Sequence, residues 1–80
     1  MTTIIGISVE NRQETSKAVQ DVLTKYGCEI KTRLGINDYK ESECTYQGMI
    51  LVDVPKRSAA EELIKNLESI QNVTVKSMEF

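Results

Sequence analysis

Ile4-Ile5-Gly6-Ile7-Ser8-Val9 returns 45 residues later as Met49-Ile50-Leu51-Val52-Asp53-Val54. In each stretch an apolar set alternates with its neighbours: Ile5, Ile7 and Val9 in the first, Ile50, Val52 and Val54 in the second. The correspondence continues at the same offset. Ala18, Val19 and Val22 return as Leu63, Ile64 and Leu67, and Cys28 and Ile30 return as Val73 and Val75. Each half thus opens with period 2, changes to helical spacing and ends with period 2, which reads as strand, helix, strand. Two such halves in 80 residues predict an α+β, ferredoxin-like βαββαβ sandwich with an antiparallel four-stranded sheet. Right-handed crossovers place both helices on one face of that sheet.

Working outward, the first strand is expected over 3–9. Asn11 is placed to cap the helix that follows, with Glu14 three residues on as its capping-box partner. Thr15, Ala18, Val19, Val22, Leu23 and Tyr26 form its buried stripe. Gly27 stops it, as a residue able to take a left-handed conformation should. The second strand is expected over 28–35, with Cys28, Ile30, Thr32 and Leu34 towards the helices and Glu29, Lys31 and Arg33 away from them. Residues 36–43 read as a polar loop whose Asn37-Asp38 pair suits a hairpin end. The third strand is expected from Cys44 to Val54, ended by Pro55. Ser58 caps the second helix with Glu61 as its partner, and Leu63, Ile64, Leu67 and Ile70 supply its stripe. Asn72 stands opposite Gly27 in the repeat, and the last strand is expected over 73–78.

Length confines the chain to one domain over residues 1–80, with one thin core and no separate catalytic lobe. A net charge of −2, with ten scattered Lys and Arg residues, is not the footprint of a nucleic-acid binder. No apolar stretch approaches the roughly 20 residues of a membrane span, and no basic start followed by an apolar run opens the sequence. The expected location is therefore the cytoplasm. With a hairpin centred near Tyr39, Cys28 and Cys44 fall about five positions out of register, roughly 16 Å apart, too far for a disulfide.

The chemistry the fold could host narrows quickly. A soft-metal carrier needs a Cys-x-x-Cys pair, and the first loop reads Val9-Glu10-Asn11-Arg12 instead. An RNA-binding sheet needs stacking aromatics on its central strands, and the first strand has none. A nickel or zinc sensor calls for imidazoles, and the sequence contains no His. For the same reason no Ser, Thr or Cys has an imidazole base to activate it, and the loop carboxylates Glu41 and Glu43 suit a solvated edge. Cys28, matching Val73 in the repeat, is expected as a small core residue. No enzyme activity, metal or cofactor is expected.

Surfaces and loops remain. Covering one sheet face with helices leaves Ile4, Gly6, Ser8, Glu29, Lys31, Arg33, Met49, Leu51, Asp53, Thr74, Lys76 and Met78 on the other. Ile4, Met49, Leu51 and Met78 are too apolar a set for a face meant only for water, and they predict a homo-oligomer interface. Glu10-Asn11-Arg12 precedes a helix start, where free backbone N–H groups favour an anion, although capping is the commoner explanation of Asn11. Arg33, on the open face, could meet an anionic ligand or a carboxylate of a second subunit, and Gly35 relieves the backbone at the strand end. Asn11, Arg12, Arg33 and Gly35 are thus the candidate ligand-binding residues. The first loop and the second strand are expected at opposite sheet poles, so a pocket using both requires a subunit interface.

The run Ile7-x-Val9-Glu10-Asn11-Arg12, the helix end Leu23-x-x-Tyr26-Gly27, the strand end Arg33-Leu34-Gly35-Ile36 and the closing Val73-x-Val75-Lys76-Ser77 resemble the small ACT-like proteins known as iron-only hydrogenase system regulators. The similarity spans nearly the whole chain through short, mostly structural motifs. Where that family commonly has Pro, then an aromatic or His and a basic residue, this chain has Asn37-Asp38-Tyr39-Lys40. The resemblance implies a non-catalytic regulatory module, a dimer or tetramer, sensing a small anionic effector and serving hydrogenase expression or maturation. Domains of this kind associate through their sheets and hold effectors where subunits meet. The rival is a protein-interaction module that uses its open sheet face and takes no small molecule. Without a helix-turn-helix, any control of DNA requires a partner.

Overall fold

A computed structural model describes residues 2–9, 13–40 and 43–80, with side chains described over 2–9, 15–35 and 48–80. The elements are β1 (Thr3–Val9), α1 (Gln13–Lys25), a single 3-10 turn (Gly27–Glu29), β2 (Thr32–Lys40), β3 (Glu43–Val54), α2 (Arg57–Glu68) and β4 (Val73–Glu79). The strands form one sheet in the order β2-β3-β1-β4, and every neighbouring pair is antiparallel. This is the ferredoxin-like βαββαβ sandwich that the repeat predicts.

The period-2 residues do what their spacing demands. Ile5, Ile7 and Val9 of β1 and Val52 and Val54 of β3 are buried together with Val19, Leu23, Ala59, Ala60, Leu63 and Leu67 from the two helices. Burying a Leu or Ile side chain of this kind contributes roughly 1.5–3 kcal/mol. In α1 the fully covered positions are Thr15, Val19 and Leu23, one turn apart, while Ala18, Val22 and Tyr26 flank them half-buried. Ala59 and Ala60 join Leu63 and Leu67 on the buried side of α2, and their small side chains let the helix approach the sheet closely. Asn66 Nδ2 donates to the Tyr26 hydroxyl at 2.9 Å, tying the end of α1 to α2.

Two local expectations are corrected. Lys56, not Ser58, occupies the N-cap of α2, in extended backbone and without a side-chain cap; Ser58 lies inside the first turn. Gly27 has no left-handed backbone and instead opens the 3-10 turn. Asn72, its counterpart after α2, takes that conformation at φ 67°, which Asn tolerates because its side chain can bond locally. The capping residue expected for α1, Asn11, lies outside the described residues.

The largest departure concerns β2. The 3-10 turn consumes Gly27–Glu29, so the strand starts at Thr32 rather than Cys28. The β2 partner of Val52 is Arg33, whereas the β4 partner of Ile7, the equivalent position in the other half, is Val75. Arg33 therefore stands where Val75 stands, 42 residues away instead of 45. A slip of three positions is odd, so every side chain of the strand changes face. Arg33 lies on the helix side, Thr32 and Leu34 on the open side, and Cys28 is an exposed free thiol rather than a core residue. Ile30 still packs against the core, half-buried.

The expected loop over 36–43 is mostly strand. β2 continues to Lys40 and β3 begins at Glu43, with an irregularity between Asn37 and Tyr39 where the hairpin end was expected. Main-chain pairing does not depend on side-chain polarity, and between the pairs Asn37–Gly48 and Tyr39–Cys44 the extra residues of the irregularity, 45–47, lie on β3. Cys44 is opposite Tyr39, and Cys28 lies outside the strand altogether.

Candidate functional site

Register places the open face in transverse rows. Thr32, Asp53, Ile4 and Met78 make one; Leu34, Leu51, Gly6 and Lys76 make the next; Ile36, Met49, Ser8 and Thr74 are in register in the third. The four residues expected there from the sequence, Ile4, Met49, Leu51 and Met78, do share this face. The strand slip adds Leu34 and removes Arg33, so a cation is replaced by an apolar side chain. Leu34 is 54% exposed, Met49 45% and Met78 60%, with Ile4 and Leu51 half-buried between them. Five neighbouring apolar side chains with this exposure form a patch rather than scattered surface residues.

Two charges border the patch among the described residues. Asp53 accepts a hydrogen bond from the Thr2 hydroxyl, and its carbonyl accepts one from the Lys31 N–H at 2.8 Å. Lys76 sits at the other side, opposite Gly6. Around that glycine the surface sinks into a hollow of about 390 Å³ lined by Gly6, Ser8, Met49, Thr74 and Lys76. A smaller depression of about 300 Å³ lies at the sheet end between Cys28, Glu29, Ile30, Lys31, Pro55 and Lys56. Among the described residues no group of three or more His, Cys, Asp or Glu is placed to hold a metal ion.

The candidate ligand residues are not brought together on the open face. Asn11 and Arg12 lie outside the described residues. Arg33, expected on the open face, points to α1 and donates from its guanidinium to the Gln20 side-chain carbonyl. Gly35, expected at a strand end, lies mid-strand opposite Ile50 without a left-handed backbone. The expectation of opposite poles is also corrected. β1 and β2 are both antiparallel to β3, so they run the same way, and Val9 and Asn37 both pair with Gly48. Arg33 is nevertheless in the row of Ile5, four residues back from Val9, roughly 13 Å at the usual strand rise. The sequence missed Leu34 and the Gly6–Lys76 juxtaposition, since both depend on registers that apolar spacing alone does not specify.

Residues 1–77 match the TM1266-like family model, described as "Iron-only hydrogenase system regulator, putative". The solved structure of TM1266 from Thermotoga maritima is similar, with 23% identity and a TM-score of 0.82 over 96% of this chain and 92% of that one. The ACT domain of GTP pyrophosphokinase from Chlorobium tepidum follows at 18% identity and a TM-score of 0.65, covering 98% of this chain and 97% of that one. A dimeric ferredoxin-like protein from Jannaschia sp. CCS1 is 9% identical with a TM-score of 0.58, all of both chains being covered. No curated protein sequence matches the chain. At these identities the structural neighbours speak for the fold.

Proposed function

The chain belongs to the TM1266-like family, and from that premise we propose that it is a non-catalytic, homo-oligomeric regulatory module of an iron-only hydrogenase system. The observation that carries this reading is the patch of Ile4, Leu34, Met49, Leu51 and Met78 on the sheet face that no helix covers. A second copy is its natural occupant, because an isologous contact sets the same apolar patch against itself. The dimeric state of the Jannaschia protein supports it. A paired sheet face also supplies a place where a small effector could shift the assembly, by binding one arrangement better than another.

The other ligand candidates keep a place in this reading. Asn11 and Arg12 stand before α1 as candidates for an anion there. A ligand reaching Arg33 and Gly35 would lodge against α1, not between sheets. The module acts in the cytoplasm in this reading, and any control of DNA requires a partner. Among the described residues no helix is long and apolar enough to cross a membrane.

Two measurements test the proposal. Light scattering on the purified protein should give a multiple of the 9.0 kDa chain at tens of micromolar. Deleting the gene in its source organism should change iron-only hydrogenase activity or transcript level. A single-chain mass removes the assembly, and unchanged hydrogenase in the deletion strain removes the assigned system.

A further inference from the structure

Gly6 sits in the middle of β1, one of the two central strands, and nothing in its own geometry requires a glycine. Its backbone is not left-handed. A Cβ built there would meet only Leu51 Cδ2 at 3.5 Å and the Lys76 carbonyl at 3.7 Å, both ordinary contact distances. Glycine weakens a strand interior, and where neither conformation nor packing explains it, it marks close approach by another molecule. The hollow lies where Gly6 leaves out a side chain. Its lining is chemically mixed: Met49 is apolar, Ser8 and Thr74 are register partners with hydroxyls, and Lys76 is the one residue whose side chain ends in a charge. Among the described residues the ion pairs are those of Arg57 with Glu61 and Glu79, and Lys76 takes part in none.

We propose that the hollow over Gly6 is a binding site for a small carboxylate with a short apolar chain. Lys76 supplies the counter-charge, and Ser8 and Thr74 offer hydroxyl donors to the carboxylate oxygens. The chain lies over Gly6 against Met49. A volume near 390 Å³ is in the range of small-molecule sites, which combine an apolar lining with a few convergent polar groups. The inference rests on the sheet-face pairing proposed above, because the second copy closes the open side of the hollow and excludes water from the ion pair.

The test is titration calorimetry with straight-chain carboxylates from butyrate to octanoate, run beside light scattering. Wild type should bind at least one chain length, with an optimum inside the series, and the alcohol of the same length at least tenfold more weakly. Lys76→Met should lose tenfold or more in affinity. Gly6→Val places a branched side chain on the floor of the hollow, so it should lose tenfold or more in affinity while melting at or above the wild-type temperature, and Gly6→Ala, with one methyl group, should lose less. Binding unchanged in Lys76→Met, equal affinity for the alcohol, or binding retained in Gly6→Val would overturn the site. So would a protein that is a multimer by mass yet binds no carboxylate in the series, a result that leaves the assembly standing. A single-chain mass with binding that still depends on Lys76 and Gly6 would keep the site and remove the pairing.

Discussion

Arg33 lies opposite Val52 in the sheet and reaches across to the Gln20 side chain of α1, so the second strand presents Leu34, not Arg33, to the open face. That pairing determines which residue would disturb the proposed assembly and which only trims a surface contact. Leu34→Asp should lower the mass measured by light scattering while the far-ultraviolet circular dichroism stays native. Arg33→Ala, which removes one exposed hydrogen bond, should leave the mass unchanged and cost less than about 1 kcal/mol in urea unfolding. The reverse pattern would mean the strand is in the other phase.

Leu51 lies at the centre of the open face between Leu34 and Gly6. A charge there is desolvated only when two faces meet. Leu51→Glu should therefore dissociate the oligomer to 9.0 kDa at a protein concentration where the chain is still folded. Retention of the wild-type mass would exclude the sheet face as the interface.

The two helices differ in which apolar residues they commit to the core. Leu67 is fully buried, whereas Val22 is half-buried on the flank of the Val19–Leu23 stripe. Leu67→Ala should cost about 2–4 kcal/mol, the usual range for a buried Leu, and Val22→Ala less than half of that. Equal losses at both positions, read from denaturant midpoints at constant slope, would show that the stripe of α1 is misplaced.

Asn72 holds φ at 67°, a conformation that costs roughly 1–2 kcal/mol for a residue with an ordinary Cβ. Asn72→Ala should destabilise by about that amount, and Asn72→Gly should be neutral or slightly stabilising. Gly27→Ala should behave oppositely to what its sequence context suggests. With no left-handed backbone and open space around its Cβ position, it should gain a few tenths to about 1 kcal/mol by restricting the unfolded chain. Thermal melts of the three variants decide the matter.

Gly6→Ala is expected to stabilise the fold by roughly 0.5–1 kcal/mol, since alanine loses less backbone entropy than glycine in a strand. A stability gain joined to a loss of carboxylate affinity would identify Gly6 as a residue kept for the hollow rather than for the strand.

The sequence by itself determined the element order, the buried faces of β1 and β3, and the central buried residues of the helices, Val19 and Leu23 in α1 and Leu63 and Leu67 in α2, though not Ala59 and Ala60. At those positions a full set of apolar residues recurs at one period, and exposing any of them to water costs more than any local preference can offset. It also made Ile4, Met49, Leu51 and Met78 legible as one face, because the two central strands and β4 keep the phase of the repeat. The tertiary structure alone decided β2. Alternation sets Ile30, Thr32 and Leu34 on one face and Lys31 and Arg33 on the other, which points to the phase the strand does not adopt; on an edge strand this preference is too weakly enforced by burial to prevail. Main-chain pairing with β3 and the three-residue turn at Gly27–Glu29 made the choice, and with it moved Arg33 to the helices and Leu34 to the open face. The hollow over Gly6 was hidden for the same reason. It exists because antiparallel register sets a residue without a side chain opposite Lys76, 70 residues away in the chain, and periodicity along a strand carries no information about what lies across it.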